Sequence, residues 1–165
     1  MLLVARKLKE LSFGKLMEVY AEGNLDNGQE LWPDEPPFRQ QMLAEQDFYD
    51  YLRQVFFITP GAVYAIWQLD DTYVSALRLE PYRDGMLLEA LETTPEHRRK
   101  GYGKALVNAV LEKWPEVRVY SHVAKGNEAS LRTHENCGFR KVLDYAVYVD
   151  GSIRHNAVTL CREPK

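Results

Sequence analysis

The residues with the clearest chemical potential form one run, Arg98-Arg99-Lys100-Gly101-Tyr102-Gly103-Lys104. Two glycines one residue apart let the backbone pass close to a bulky anion. At the start of a helix, their amide hydrogens can point at phosphate oxygens. Arg98, Arg99, Lys100 and Lys104 add positive charge around the same turn. This is the chemistry of a pyrophosphate cradle. The run lacks the Lys-Ser/Thr pair of a P-loop, which argues against a nucleoside triphosphatase. Leu106 stands where a dinucleotide-binding turn would carry its third glycine. Taken alone, the run also fits a basic surface turn that caps an ordinary helix.

About thirty residues downstream comes Asn127-Glu128-Ala129-Ser130-Leu131-Arg132-Thr133-His134-Glu135-Asn136-Cys137-Gly138-Phe139. Arg98-x-x-Gly101-x-Gly103 after a strand resembles the coenzyme A loop of the GNAT N-acetyltransferase superfamily. The second run is similar to that family's second motif: Asn, then Ala-Ser, an apolar residue, usually a Tyr, and Gly-Phe. The two motifs together are specific, and the resemblance covers nearly the whole chain, read as one domain over residues 1–165. It implies an N-acyltransferase that moves an acetyl group from acetyl-CoA to a primary amine by direct attack in a ternary complex. The alternative within the same fold is a non-catalytic acyl-CoA-binding or regulatory module.

The resemblance also implies site roles. Leu91, Glu92 and Thr93 would lie beside the pantetheine arm, with the amide of Leu91 or a neighbour polarising the thioester carbonyl. The diphosphate would meet the amides of Arg99, Lys100, Gly101, Tyr102, Gly103 and Lys104, with Arg98 adding charge. Asn127 and Ser130 would hold the coenzyme from the second motif. One residue departs from the pattern: His134 stands where the family usually has the Tyr that faces the leaving thiolate. A His there could protonate the sulfur, or it could be a polar helix residue that only lines the cleft.

Amine acetylation sets further demands. A lysine-like ammonium must lose a proton before it can attack, at a cost of about 4–5 kcal/mol at pH 7. That requires an acceptor, often a carboxylate or His acting directly or through water. Glu89 and Glu92 lie on one predicted strand, and their odd spacing places them on opposite faces, with Glu89 sharing the face of Leu91. Glu89 is the first choice of base. His122, on the next strand, is the second, at a position where some family members carry a carboxylate.

In this family the first helices and the final hairpin shape the acceptor cleft. Here those stretches are aromatic (Tyr20, Trp32, Phe38, Phe48, Tyr49, Tyr51) and acidic (Glu22, Asp26, Glu30, Asp34, Glu35). Acidic groups and aromatic faces suit a cationic acceptor, a small amine or amino-acid-like molecule; the same residues also fit core packing and a solvated loop.

The elements that must position these groups follow from periodicity and breakers. Leu2–Arg6 reads as a strand, Leu8–Tyr20 as a helix, and the Gly/Asn/Asp/Pro-bearing stretch 24–37 as loop. A second helix runs from Pro37 to Phe57. A hairpin follows over 62–79, turning at Asp70-Asp71. Residues 86–93 form a strand, 101–114 a helix, 117–123 a strand and 127–136 a helix. A final hairpin over 141–161 turns at Asp150-Gly151. The unit over 86–123 should be a right-handed crossover between parallel strands. The predicted architecture is α/β: a mixed twisted sheet of about six or seven strands flanked by about four helices.

Bulk properties narrow the class. The chain has 165 residues, net charge -3 and a pI near 5.8. The acidic balance and the lack of a second basic run argue against a nucleic-acid partner. Cys137 and Cys161 suggest neither a disulfide framework nor a zinc site, and His97 and His155 have no ligand-like spacing, so no metal is expected. No stretch approaches a membrane span, the N-terminus does not read as a signal peptide, and a cytoplasmic protein is expected. The partners expected are acetyl-CoA and an amine acceptor, bound by a monomer or a homodimer.

Overall fold

The computed structural model describes residues 1–165. Seven strands build the main sheet: β1 (Leu2–Ala5), β2 (Val63–Leu69), β3 (Thr72–Tyr82), β4 (Gly85–Thr93), β5 (Val119–Ala124), β6 (Arg140–Leu143) and β9 (Ala157–Arg162). Their spatial order is β1-β2-β3-β4-β5-β9-β6. All neighbours pair antiparallel except β4 and β5, which run parallel. The connection between those two carries helix α4 (Tyr102–Lys113), which lies across β2, β3 and β4. Parallel neighbours need such a crossover because a tight turn cannot return the chain to the same end.

Each face of the sheet buries its own apolar layer. On the α4 side, Leu106, Val107 and Val110 project from the helix at helical spacing onto Val63, Ala65, Leu77, Leu79 and Leu88. Helix α5 (Glu128–Asn136) extends this layer. On the other side, α1 (Phe13–Val19) places Leu16, Met17 and Val19 against Tyr64, Ile66 and Ala76. Burying each large aliphatic side chain contributes roughly 1.5–3 kcal/mol.

Two expectations are overturned. Stretch 24–37 is loop only at its end, because α2 spans Ala21–Leu31 and raises the helix count to five. Its weak helix formers are outweighed by packing against α3 (Pro37–Tyr51). Asn24 is buried, its amide against Met17 Sδ at 3.3 Å. Gly28 lies so close to α3 that a Cβ there would meet Gln40 O at 2.5 Å. Small polar residues, read in sequence as loop formers, are here what lets two helices touch. After α3 the helix continues as a π-helical turn over Leu52–Phe56.

The second difference is in the final hairpin. It breaks into the β6–β9 pair and a separate small ribbon of β7 (Ala146–Val147) with β8 (Ile153–Arg154). The β6–β9 register shifts between Lys141 and Leu143, and Thr159 Oγ1 donates to Tyr145 O where the chain leaves the main sheet. An irregularity of this kind bends a strand and ends its pairing.

The α2–α3 approach generates a stability prediction. Gly28→Ala should destabilise the protein by about 1–3 kcal/mol through overpacking. Gly14→Ala, where nothing lies within 4 Å of the added Cβ, should be neutral or stabilising by up to about 1 kcal/mol. Denaturant unfolding of both variants checks the contrast.

Candidate active site

The site begins where the sheet comes apart. Strands β4 and β5 pair at Met86–Val119, Leu87–Tyr120 and Leu88–Ser121, and no further. Beyond Leu88, both strands continue but diverge. The split is lined by Ala90, Leu91, Ser121, His122, Asn127, Ser130 and His134. On one side it adjoins a groove of about 630 Å³ between the β4 end, the 97–104 turn and α5. On the other lies a chamber of about 380 Å³ under α2 and α3.

A β-bulge shapes β4 at this point. Arg78 of β3 pairs with Glu89 and Ala76 with Glu92, so Ala90 and Leu91 together face the single residue Leu77. Ala90 carries φ of 52°, a left-handed conformation uncommon outside glycine. Tyr20 Oη, between α1 and α2, donates to Ala90 O at 2.7 Å and pins the bulge. The bulge overturns the expected parity. Because Arg78 and Ala76 share a face, Glu89 and Glu92 do too, while Leu91 packs with the opposite layer. Both carboxylates therefore belong to the side of the sheet that holds the chamber, and Glu92 lines it directly.

Glu89 lies 3.6 Å from Arg78 Nε. Burial, and then the neighbouring Glu80, raise its pKa to about 7 despite the attraction of Arg78. Burial also raises Glu92, with Arg98 opposing it. His122 projects from β5 on the same face as Glu89, since Tyr120 pairs with Leu87 and each residue is two positions further along. Its ring meets those of Tyr82 and Tyr148 edge-on at centroid distances of 5.6 and 5.1 Å. Its Nε2 is buried with no hydrogen-bond partner, and burial lowers its pKa.

His134 is fully buried in α5. Its Nδ1 is 2.7 Å from Ser130 O, a carbonyl that can only accept, so Nδ1 carries the proton. In the neutral ring, Nε2 then accepts from Ser121 Oγ at 2.9 Å. Burial lowers the pKa further and keeps the ring neutral near pH 7. In this tautomer no imidazole N–H remains to be directed into the split, and the Ser121 hydroxyl hydrogen is turned to Nε2.

The basic turn has the cradle's geometry. Gly101 holds φ of 81° and Arg99 φ of 62°, so the turn winds through two left-handed residues. The first bond of α4 is Ala105 N–H to Gly101 O. The amides of Tyr102, Gly103 and Lys104 precede that ladder and face the groove's end of the helix dipole. Gly103 runs close to β4, where a Cβ would meet Thr93 Oγ1 at 3.4 Å. Arg99, Lys100 and Lys104 are exposed. Arg98 is engaged: it donates to Thr93 O at 3.1 Å and to Glu22 Oε2 at 2.7 Å, tying α2 to the turn. Asn127 caps α5, its Oδ1 accepting from Ser130 N at 3.1 Å.

The structure thus gathers Leu91, Glu92, Thr93, Arg98, Arg99, Gly101, Tyr102, Gly103, Lys104, Asn127 and Ser130 along one groove. It places His122 and His134 in the adjoining split. Lys100 lies in the turn without lining the groove. Sequence reasoning missed Arg78 and Ser121, and it placed Tyr20 and Glu22 in the acceptor cleft without their contacts to Ala90 O and Arg98. Arg78 had a legible mark, as a lone cation inside the apolar run Tyr73–Leu79. The others depend on contacts between residues far apart in the chain. No group of three or more His, Cys, Asp or Glu side chains is placed to hold a metal ion. No helix is long and apolar enough to cross a membrane.

The raised Glu89 pKa makes a signed prediction. Its neutral form is favoured by the fold, so this contribution to stability is complete below pH 4.5 and is lost as pH rises through about 7. Relative to wild type, Glu89→Gln should gain melting temperature across that window and then level off. A difference independent of pH would show that Glu89 titrates normally.

A model of the Acetyltransferase (GNAT) family matches residues 25–139. No curated protein matches the chain in sequence. Among solved structures, PaiA N-acetyltransferase from Thermoplasma acidophilum, in complex with coenzyme A, aligns with a TM-score of 0.63 at 11% identity, covering 99% of each chain. The ribosomal-protein-S18-alanine N-acetyltransferase from Escherichia coli aligns at 0.59 and 15% identity, covering 98% of this chain and 93% of its own. A variant of the spermidine N-acetyltransferase from Vibrio cholerae aligns at 0.59 and 17% identity, covering 99% and 94%. At these identities the likeness is one of fold, and it extends to the mixed sheet and its flanking helices. The family match spans more than half of the sequence, and the chain belongs to the GNAT acetyltransferase family.

Proposed function

We propose that residues 1–165 form one N-acetyltransferase domain that transfers the acetyl group of acetyl-CoA to the primary amine of a small molecule. The observation that carries this reading is the continuity of the site: a cationic groove, the β4–β5 split and the acceptor chamber meet at Ala90 and Glu92. The residues present fit the coenzyme. Unladdered amides and the exposed Arg99, Lys100 and Lys104 suit a diphosphate, and the unpartnered Nε2 of His122 lies in the split. Two of the similar structures are named for acetylation of amines, on an alanine and on spermidine. Bound acetyl-CoA would supply an activated acyl group as a thioester.

The chain's own residues do the rest. Arg99 to Lys104 hold the diphosphate, Leu91 to Thr93 line the pantetheine path, and Asn127 and Ser130 close it from α5. The bulge leaves one β4 residue out of the ladder, and an amide there, Leu91 or its neighbour, donates to the thioester carbonyl. Glu89, poised near pH 7, accepts a proton from the acceptor's ammonium directly or through water. The freed amine forms its N–C bond as the C–S bond breaks, and its second proton leaves with the sulfur. His134 acts through Ser121: its Nε2 accepts the Ser121 O–H and fixes that side chain at the split, while the proton for the sulfur comes from the attacking nitrogen. His122, neutral and on the same face, is the second candidate for the base.

Calorimetric titration with acetyl-CoA tests the groove. Micromolar binding is expected, lost in Gly101→Glu, which adds negative charge and forces a side chain into left-handed backbone. Absence of binding to either protein would leave the turn as a helix cap and sink the enzyme reading. Binding without turnover on any acceptor would point instead to a regulatory acyl-CoA-binding module. For the base, Glu89→Gln should lower kcat by about 10²–10⁴-fold and remove the acidic limb of the pH–rate profile. A limb that persists transfers the role to His122.

A further inference from the structure

The chamber holds a charged group for which acetylating a simple amine has no use. Arg78 projects from β3 among Tyr51, Phe56 and Phe48, its guanidinium carbon 5.0, 5.7 and 5.9 Å from their ring centroids. Its Nε is buried without a hydrogen-bond partner. The nearest carboxylate oxygen, on Glu89, lies at 3.6 Å, close enough for charge attraction and too far for a hydrogen bond. A guanidinium presents five donors in a planar fork that matches a carboxylate. Arg78 also lines the chamber, with a side chain 17% exposed. A cation in a pocket meant only for cations would repel its own substrate.

We propose that the acceptor is an amino acid, a small molecule whose carboxylate is bound by Arg78 beside the amine that is acetylated. This rests on the chamber being the acceptor site, as argued above. The chamber's volume of about 380 Å³ suits a molecule of that size. Orientation follows from the lining. The amine must reach the split, which the chamber meets at Ala90, and Arg78 pairs in register with Glu89, the residue before it. An amine at the split therefore has Arg78 close by, and the remaining side chain extends toward Leu31, Ala44 and Phe48 between α2 and α3.

Charge balance supports a carboxylate over other anions. Before proton transfer, the acceptor is a zwitterion facing the Arg78–Glu89 pair. Afterwards its ammonium proton resides on Glu89, and the Arg78 cation is matched by the acceptor's carboxylate. A carboxylate-free amine would leave Arg78 with Glu80 as its adjacent counter-charge, Glu92 being held by Arg98 instead. A dianionic phosphate would overfill a site where one guanidinium already has Glu80 and Glu89 beside it.

The test is a binding panel in the presence of coenzyme A: α-, β- and γ-amino acids, each against its own carboxamide, followed by calorimetry. At least one amino acid should bind about tenfold or more tightly than its carboxamide. That preference should vanish in Arg78→Met and be partly kept in Arg78→Lys, with coenzyme A affinity unchanged in both as the check on folding. Equal binding within every pair, or no binding by any amino acid, overturns the proposal. So does a preference that survives Arg78→Met. Loss of coenzyme affinity in wild type would instead defeat the acetyltransferase reading, which this panel, read on the acceptor, keeps separate.

Discussion

The end of the β4–β5 pairing after Leu88–Ser121 is the constraint on which the site depends. Two parallel strands held together along their whole length would leave no room between them and no amide out of the ladder. The bulge at Ala90 bends β4 away, and a left-handed alanine of this kind costs on the order of 1–3 kcal/mol. The Tyr20 hydrogen bond to Ala90 O and the apolar layers above and below hold it in place. The α1–α2 junction thus acts on the site without entering the cationic groove. The same bulge advances the strand by one residue, which brings Glu92 onto the face of Glu89 and turns Leu91 toward α4.

Opposite electrostatic demands are met on the two sides of that split. The groove side gathers cations around a helix N-terminus, suited to a polyanion. On the chamber side Glu80 and Glu89 lie beside the cation Arg78, where burial raises the pKa of both carboxyls. Arg98 joins the two regions by bonding to Thr93 O and Glu22, so α2, which walls the chamber, is fastened to the turn that shapes the groove. Glu92, exposed and 3.9 Å from Arg98, stands where the two regions meet.

His134 shows how a residue's type and its surroundings jointly set its chemistry. An imidazole in water titrates near neutral pH and can donate or accept. Here Ser130 O fixes the proton on Nδ1, and Ser121 occupies Nε2. Both ring nitrogens are thereby engaged, and the imidazole is a neutral, buried link between α5 and β5.

Local patterning determined most of the fold. The β-former-rich runs of the strands, the 3.6-residue stripe of α4 and the Gly/Pro breaks predicted a mixed sheet with a parallel crossover, and the two glycine-bearing motifs marked the family. These are short-range properties, carried by residues next to each other in the chain. Tertiary structure alone decided that Gly28 and Asn24 belong to a helix, since their propensity opposes it and only contact with α3 reverses the balance. It decided the shared face of Glu89 and Glu92, because a bulge is a mismatch between two strands and is invisible in either one. It decided as well the proton position on His134 and the meeting of Arg78 with Glu89, Tyr51 and Phe48. Each of these depends on burial and on partners brought from distant parts of the chain, and those are the quantities that set a side chain's charge and direction.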